Sequence, residues 1–180
     1  MQKSMNFPDI YNELVSVHEL IAQRPNFSSM MIANMAMVEK DFLSSVASSI
    51  LTLGGVHAPI IQTMDLYDDP NPVFRAETLL LNNRRIPGSG SSFVQGEPDP
   101  VFHKLDEMIS DSELPRWSIV IKDITSLLEP KALYPNAATY TAVVCLMNNI
   151  PKDIAIGTVL SSRLGQWEQI YLENYNPMLP

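Results

Sequence analysis

The chain is poor in cysteine, in basic charge and in long apolar runs, and each shortage excludes something. Its 180 residues contain one cysteine, Cys145. No internal disulfide can form, which suits a reducing, cytoplasmic setting. Cys145 lies in an apolar helical run and reads as a small core residue rather than a nucleophile. Twelve lysines and arginines face 20 aspartates and glutamates, giving a net charge of -8 and a pI near 4.7. Such a surface repels phosphate backbones and anionic headgroups, so neither nucleic acid nor membrane is an expected partner. No apolar stretch approaches the ~20 residues of a membrane span. Residues 1–6 contain no signal-peptide core.

Generic chemical motifs are missing too. There is no P-loop, no GxGxxG, no paired-cysteine site and no GxSxG. The three histidines, His18, His57 and His103, are not at metal-ligand spacings, so no metal is expected. Neither a hairpin signal nor a period-2 strand appears, and no repeat. What remains is helical periodicity, and it predicts an all-α fold.

Ile10, Leu14, Val17 and Ile21 follow at helical steps after Pro8. Arg24-Pro25-Asn26 breaks that helix. Ser28 or Ser29 caps a second, over 28–38, rich in small and flexible residues: Met30, Met31, Ala33, Ala36 and Met37. In 41–53, Phe42, Val46 and Ile50 recur beside Leu43, Ala47 and Leu51, an apolar stripe. Gly54 and Gly55 end it, since glycine accepts the left-handed C-cap. His57 follows at once, in a turn suited to a general acid or to a histidine capping helix carbonyls.

Pro59 opens a helix through Tyr67, and Asp68-Asp69-Pro70-Asn71-Pro72 breaks the chain. Residues 73–83 read as helix, and 84–93 as a glycine-rich loop. Asp99 and Pro100 start a helix with Val101, Leu105 and Met108 as its stripe. Pro115 starts another, stopped by Pro130. Tyr134-Pro135-Asn136 leads into Tyr140, Val143, Val144 and Met147. Pro151 begins the last helix, with Ile154, Thr158, Ser161 and Gly165 along one side. The tail from Asn174 should fray.

Three ordered stretches resemble the citrate synthase family. Residues 28–60, ending Leu53-Gly54-Gly55-Val56-His57-Ala58-Pro59, look like its helix pair and histidine turn. Ile86-Pro87-Gly88-Ser89-Gly90-Ser91-Ser92-Phe93, with Asp99-Pro100 after it, resembles GFGHRVY and the following DPR. Lys131-Ala132-Leu133-Tyr134-Pro135-Asn136-Ala137-Ala138-Thr139-Tyr140 resembles K-x-L-Y-P-N-V-D-x-Y. Ser162-Arg163 and Trp167 continue the match. The resemblance covers 28–171 and corresponds to the C-terminal half of a full-length member, so it implies a truncated citrate-synthase-like bundle. It treats 1–180 as one domain, with 73–150 matching the family's small-domain region.

The resemblance assigns roles and also removes them. His57 falls on the histidine that binds the acetyl-CoA carbonyl as it enolises. Ser91 stands where a second histidine polarises the oxaloacetate carbonyl, and Ala138 where an aspartate removes the methyl proton. Arg163 falls on an arginine that binds the substrate carboxylate, with Ser91 and Arg85 as further substrate-side candidates. Gly88, Gly90 and Asn136 fall in the cofactor-binding region. An alanine cannot be a base, and losing a positioned base costs about 10² to 10⁴ in rate. The resemblance therefore implies a catalytically degenerate protein that acts by binding, requires no cofactor and is open to CoA or acetyl-CoA. The expected partner is a second copy, through the helices at 28–38 and 41–53, or a full-length citrate synthase in a mixed dimer. Two other readings compete. One is a minimal CoA-thioester synthase or lyase with a relocated base at Asp99, Glu97 or His103. The other is a scaffold that reuses the fold.

Overall fold

The computed structural model describes residues 6–22, 32–35, 41–51, 59–90, 97–98, 101, 103–105, 107 and 115–175. Among them every regular element is helical, and the one extended pairing is an isolated bridge between Ser89 and Pro135. The all-α expectation therefore holds. The chain divides into two compact units, Met1–Ala58 with Ile156–Pro180, and Pro59–Ala155. The second encloses the 73–150 region set apart by sequence.

The first unit contains α1 (Phe7–Ala22), a short helical piece at 32–35, α2 (Phe42–Ile50) and most of α7 (Lys152–Asn174). Ile10, Leu14 and Val17 are buried, as their spacing predicts, and His18 extends the same face. The Tyr11 hydroxyl shares a 2.7 Å hydrogen bond with Ser161 Oγ and so ties α1 to α7. Asp41 caps α2, accepting from Ser44 N at 3.0 Å and Ser44 Oγ at 2.7 Å.

Two faces differ from expectation. In α2 the buried residues are Ser45 and Ser49, both 0% exposed, while Leu43 is 78% and Leu51 86% exposed. The apolar stripe exists but does not face the core of its own chain. Close packing is given instead to serines, whose hydroxyls can turn back to the helix, as Ser45 Oγ does to Asp41 O. In α7 the buried row is Ala155, Thr158, Val159, Ser162 and Trp167, and of the side read as Ile154, Thr158, Ser161 and Gly165 only Thr158 belongs to it. Ser162 satisfies its hydroxyl on Val159 O at 2.7 Å, which lets a polar residue sit inside. The buried face is rotated from that side.

The second unit contains α3 (Ile60–Tyr67), α4 (Pro72–Leu81), helical residues 101, 103–105 and 107, α5 (Pro115–Leu128) with a 3-10 turn (Glu129–Lys131), and α6 (Ala137–Met147). α6 is the hub. Ala137 through Cys145 are all buried, so it is packed on every side, and α3 lies against it. Pro72 occupies the first turn of α4, where a missing N–H costs nothing. α4 stops at Leu81, two residues short of the predicted Asn83, because Asn83 takes a left-handed φ of 53°. Arg84 N then donates back to Leu79 O at 2.8 Å, closing the end with a Schellman-type bond. Asn149, φ 54°, ends α6 in the same way, with Ile150 N donating to Cys145 O at 2.8 Å.

Candidate functional site

In the second unit, the chain at Gly88–Gly90 is fastened to the segment leading into α6. Gly88 and Gly90 have φ of 76° and 75°, which glycine alone adopts without strain. Gly90 N donates to Tyr134 O at 2.8 Å, and Asn136 N donates to Gly88 O at 2.9 Å. The Asn136 side chain works at both ends. Its Nδ2 donates to Gly90 O at 2.7 Å, and its Oδ1 accepts from Ala138 N at 2.9 Å, capping α6. Thr139 Oγ1 donates to Gly88 O at 2.8 Å. The buried Tyr67 hydroxyl hydrogen-bonds that same threonine, and burial raises its pKa, so it stays a neutral donor.

Gly88, Gly90 and Asn136, expected around a cofactor, are thus brought together. Their polar groups are largely used in holding one another. Arg85 is exposed at the start of this loop. Ala138 is buried in the first turn of α6 and presents only a methyl group. Burial pushes the Cys145 thiol up to about 12, which suits a packing role and not a nucleophile. Of the relocated-base candidates, Glu97 and His103 are exposed. His57, Ser91 and Asp99 lie outside the described residues.

Arg163 belongs to the other unit, on α7. Its Nε and Nη1 atoms are buried and have no hydrogen-bond partner among the described residues. Burial pushes its pKa down, the direction expected of a cation stripped of water. His18 on α1 is 5% exposed and electrostatically coupled to Arg163. Burial first, and the Arg163 charge second, bring His18 down to about 3, so it is neutral at pH 7. One turn along α7 from Arg163, Trp167 is 0% exposed and its Nε1–H also lacks an acceptor among the described residues. Two buried guanidinium nitrogens and a buried indole N–H, all unanswered among the described residues, leave a donating patch near a histidine that adds no counter-charge. That arrangement can take an anion.

Sequence reasoning picked out Arg163 but gave no role to His18 or Trp167 as polar groups. A signal was available for each. His18 continues the apolar row of Ile10, Leu14 and Val17, where an imidazole is the odd member. Trp167 stands four residues after Arg163, on the same helical face.

No model of a known protein family matches the chain, and no curated protein sequence does. Solved structures do match. The chain superimposes on citrate synthase from Thermotoga maritima with a TM-score of 0.71 and 18% identity, covering 94% of this chain and 51% of that one. Citrate synthase from the archaeon Thermoplasma acidophilum, solved as a ternary complex with carboxymethyl coenzyme A and oxaloacetate, gives 0.70 and 17%, with the same coverage. Citryl-CoA lyase from Hydrogenobacter thermophilus gives 0.70 and 15%, covering 96% of this chain and 72% of that one. The chain has the citrate synthase fold, and it spans about half the length of these synthases.

Proposed function

We propose that this chain is a citrate-synthase-like binding protein that holds a small carboxylate anion at Arg163 and does not condense it with a thioester. The observation that carries this reading is the half-buried Arg163, whose Nε and Nη1 are buried and unanswered among the described residues. A buried donor left without a partner costs about 1–3 kcal/mol, more when charged, and an anionic ligand removes that penalty. His18, held neutral, leaves the arginine charge for the ligand. The absence of condensation follows from Ala138. Its methyl group cannot accept a proton at the position matching the enolising aspartate, and its N–H is taken by Asn136. The citrate synthase complex with carboxymethyl coenzyme A and oxaloacetate makes CoA a reasonable second ligand to try.

A second copy of the chain is the proposed partner. The support is α2, whose outer face offers Leu43, Ala47, Ile50 and Leu51 while serines face inward. Burying such a face against a copy of itself removes the apolar surface from water. A mixed dimer with a full-length citrate synthase would use the same face.

Thermal unfolding with oxaloacetate, citrate, CoA and acetyl-CoA tests the binding reading. A ligand at one hundred times its dissociation constant should stabilise the fold by about 2.7 kcal/mol. Arg163→Gln should abolish the effect of the carboxylates. No shift with any of the four would remove the proposal in favour of a scaffold.

A further inference from the structure

Trp167 is an anomaly that packing does not explain. A fully buried indole normally finds an acceptor for its N–H, yet Nε1 has none among the described residues. The same holds for two nitrogens of Arg163, four residues earlier on α7. Residues at i and i+4 are neighbours on a helix, with Cβ atoms about 5–6 Å apart. Helical side chains also lean toward the N-terminus, so a residue covers the turn before its own Cα. That lean would carry the Trp167 ring back over the turn that carries Arg163. Buried polar groups without partners are rare, a few per hundred residues. Two adjacent side chains of this kind, both donors and neither an acceptor, are best explained by one shared acceptor.

Resting on the reading above, we propose that the Trp167 indole N–H is a second donor of the Arg163 site. The ligand is then a carboxylate whose oxygens are divided between the guanidinium and the indole. A free small acid suits the site better than a side chain of a docked protein. The donor atoms are closed off from solvent, and a small ion needs only a local opening to reach them. On the α1 side, His18 feels the charge of Arg163. It makes an interaction of its own within the chain, so it is not offered as a further donor.

The experiment compares citrate and oxaloacetate binding by calorimetry in the full chain, in Trp167→Phe and in Arg163→Gln. Phenylalanine keeps most of the ring and loses only the donor. Trp167→Phe should weaken binding by about tenfold or more, the effect of a hydrogen bond to a charged group. Its unliganded melting temperature should stay level or rise, because an unanswered donor is gone. A purely structural tryptophan would do the reverse, losing stability with no change in affinity. In ¹⁵N-labelled protein, the indole signal assigned to Trp167 by comparison with Trp117→Phe should move on adding citrate. This measurement keeps the test intact if Trp167→Phe folds poorly. Unchanged affinity in Trp167→Phe, or an indole signal that ignores citrate bound by the wild type, overturns the role of Trp167 and leaves that of Arg163 standing. If the wild type binds neither acid, both fall together.

Discussion

Gly88→Ala and Gly90→Ala make a matched pair that separates backbone strain from crowding. Both glycines have left-handed φ, 76° and 75°, so alanine at either costs about 1–2 kcal/mol from conformation alone. Their surroundings differ. A Cβ on Gly88 would lie 2.4 Å from Thr139 Oγ1 and 2.6 Å from Thr63 Cγ2, whereas on Gly90 it would meet only Leu133 Cδ2, at 3.1 Å. The Leu133 methyl can move aside. Thr139 cannot easily do so, because its hydroxyl is bonded to Gly88 O at 2.8 Å. Forcing a methyl group into a packed site of this kind costs a further ~1–3 kcal/mol. Gly88→Ala should therefore destabilise by about 2–5 kcal/mol and Gly90→Ala by about 1–2 kcal/mol. Urea unfolding followed by far-UV circular dichroism measures both. Adding Thr63→Ser to Gly88→Ala removes one clashing methyl and should recover part of the loss, a coupling that a double-mutant cycle isolates. Equal destabilisation by the two alanines, with no recovery from Thr63→Ser, would refute the crowding argument.

Three other outcomes are expected. His18 has its pKa held down to about 3 in the fold against an ordinary 6.5. The unfolded chain thus binds the extra proton first as pH falls, and the stability present above pH 6.5 is lost progressively toward pH 3. By pH 4.5 the loss from this group should reach about 2.5 kcal/mol, and His18→Gln should remove that part of the difference between urea midpoints at pH 7 and pH 4.5. Leu43→Arg places a charge on the outer face of α2 and should convert a dimer to monomer in light scattering, while a wild type already monomeric at micromolar concentration would end the dimer proposal. Release of free CoA from acetyl-CoA and oxaloacetate should stay at background. Turnover at an ordinary enzyme rate, about 1 per second or more, would require a base other than the residue at 138 and would make Asp99→Asn the next variant.

The sequence carried the helices and their order well, because prolines and helical spacing act locally. Pro115 starts a helix where expected, Pro72 opens one where a break was read, and Ile10, Leu14 and Val17 are buried as their period requires. Asn136 was legible as part of a motif, but its role as the cap of α6 and clasp of Gly90 depends on a contact 46 residues away. Which face of a helix turns inward was less legible. α2 and α7 bury serine and threonine, and whether a hydroxyl can be satisfied inside depends on backbone geometry that hydrophobic periodicity does not encode. Arg163 was reached through a motif. Its neighbour His18 sits on another helix, and only the fold couples the two.

The clasp between Gly88–Gly90 and Tyr134–Asn136 also bears on the order in which the chain folds. With the bond from Thr139 included, it joins residues 44 to 51 positions apart. Closing a flexible loop of that length costs about 3 kcal/mol in chain entropy before any bond is made. The bonds returned there are worth about 1 kcal/mol each and form only when both segments are already in place. Together they return little more than the closure costs, so the clasp alone is a weak organiser of a disordered chain. α3 and α6, whose packing is broad and apolar, must meet first and bring the two ends together. The glycine turn is then expected to latch after the helices have docked, so that Asn136→Ala speeds unfolding and leaves the folding rate nearly unchanged in stopped-flow measurements.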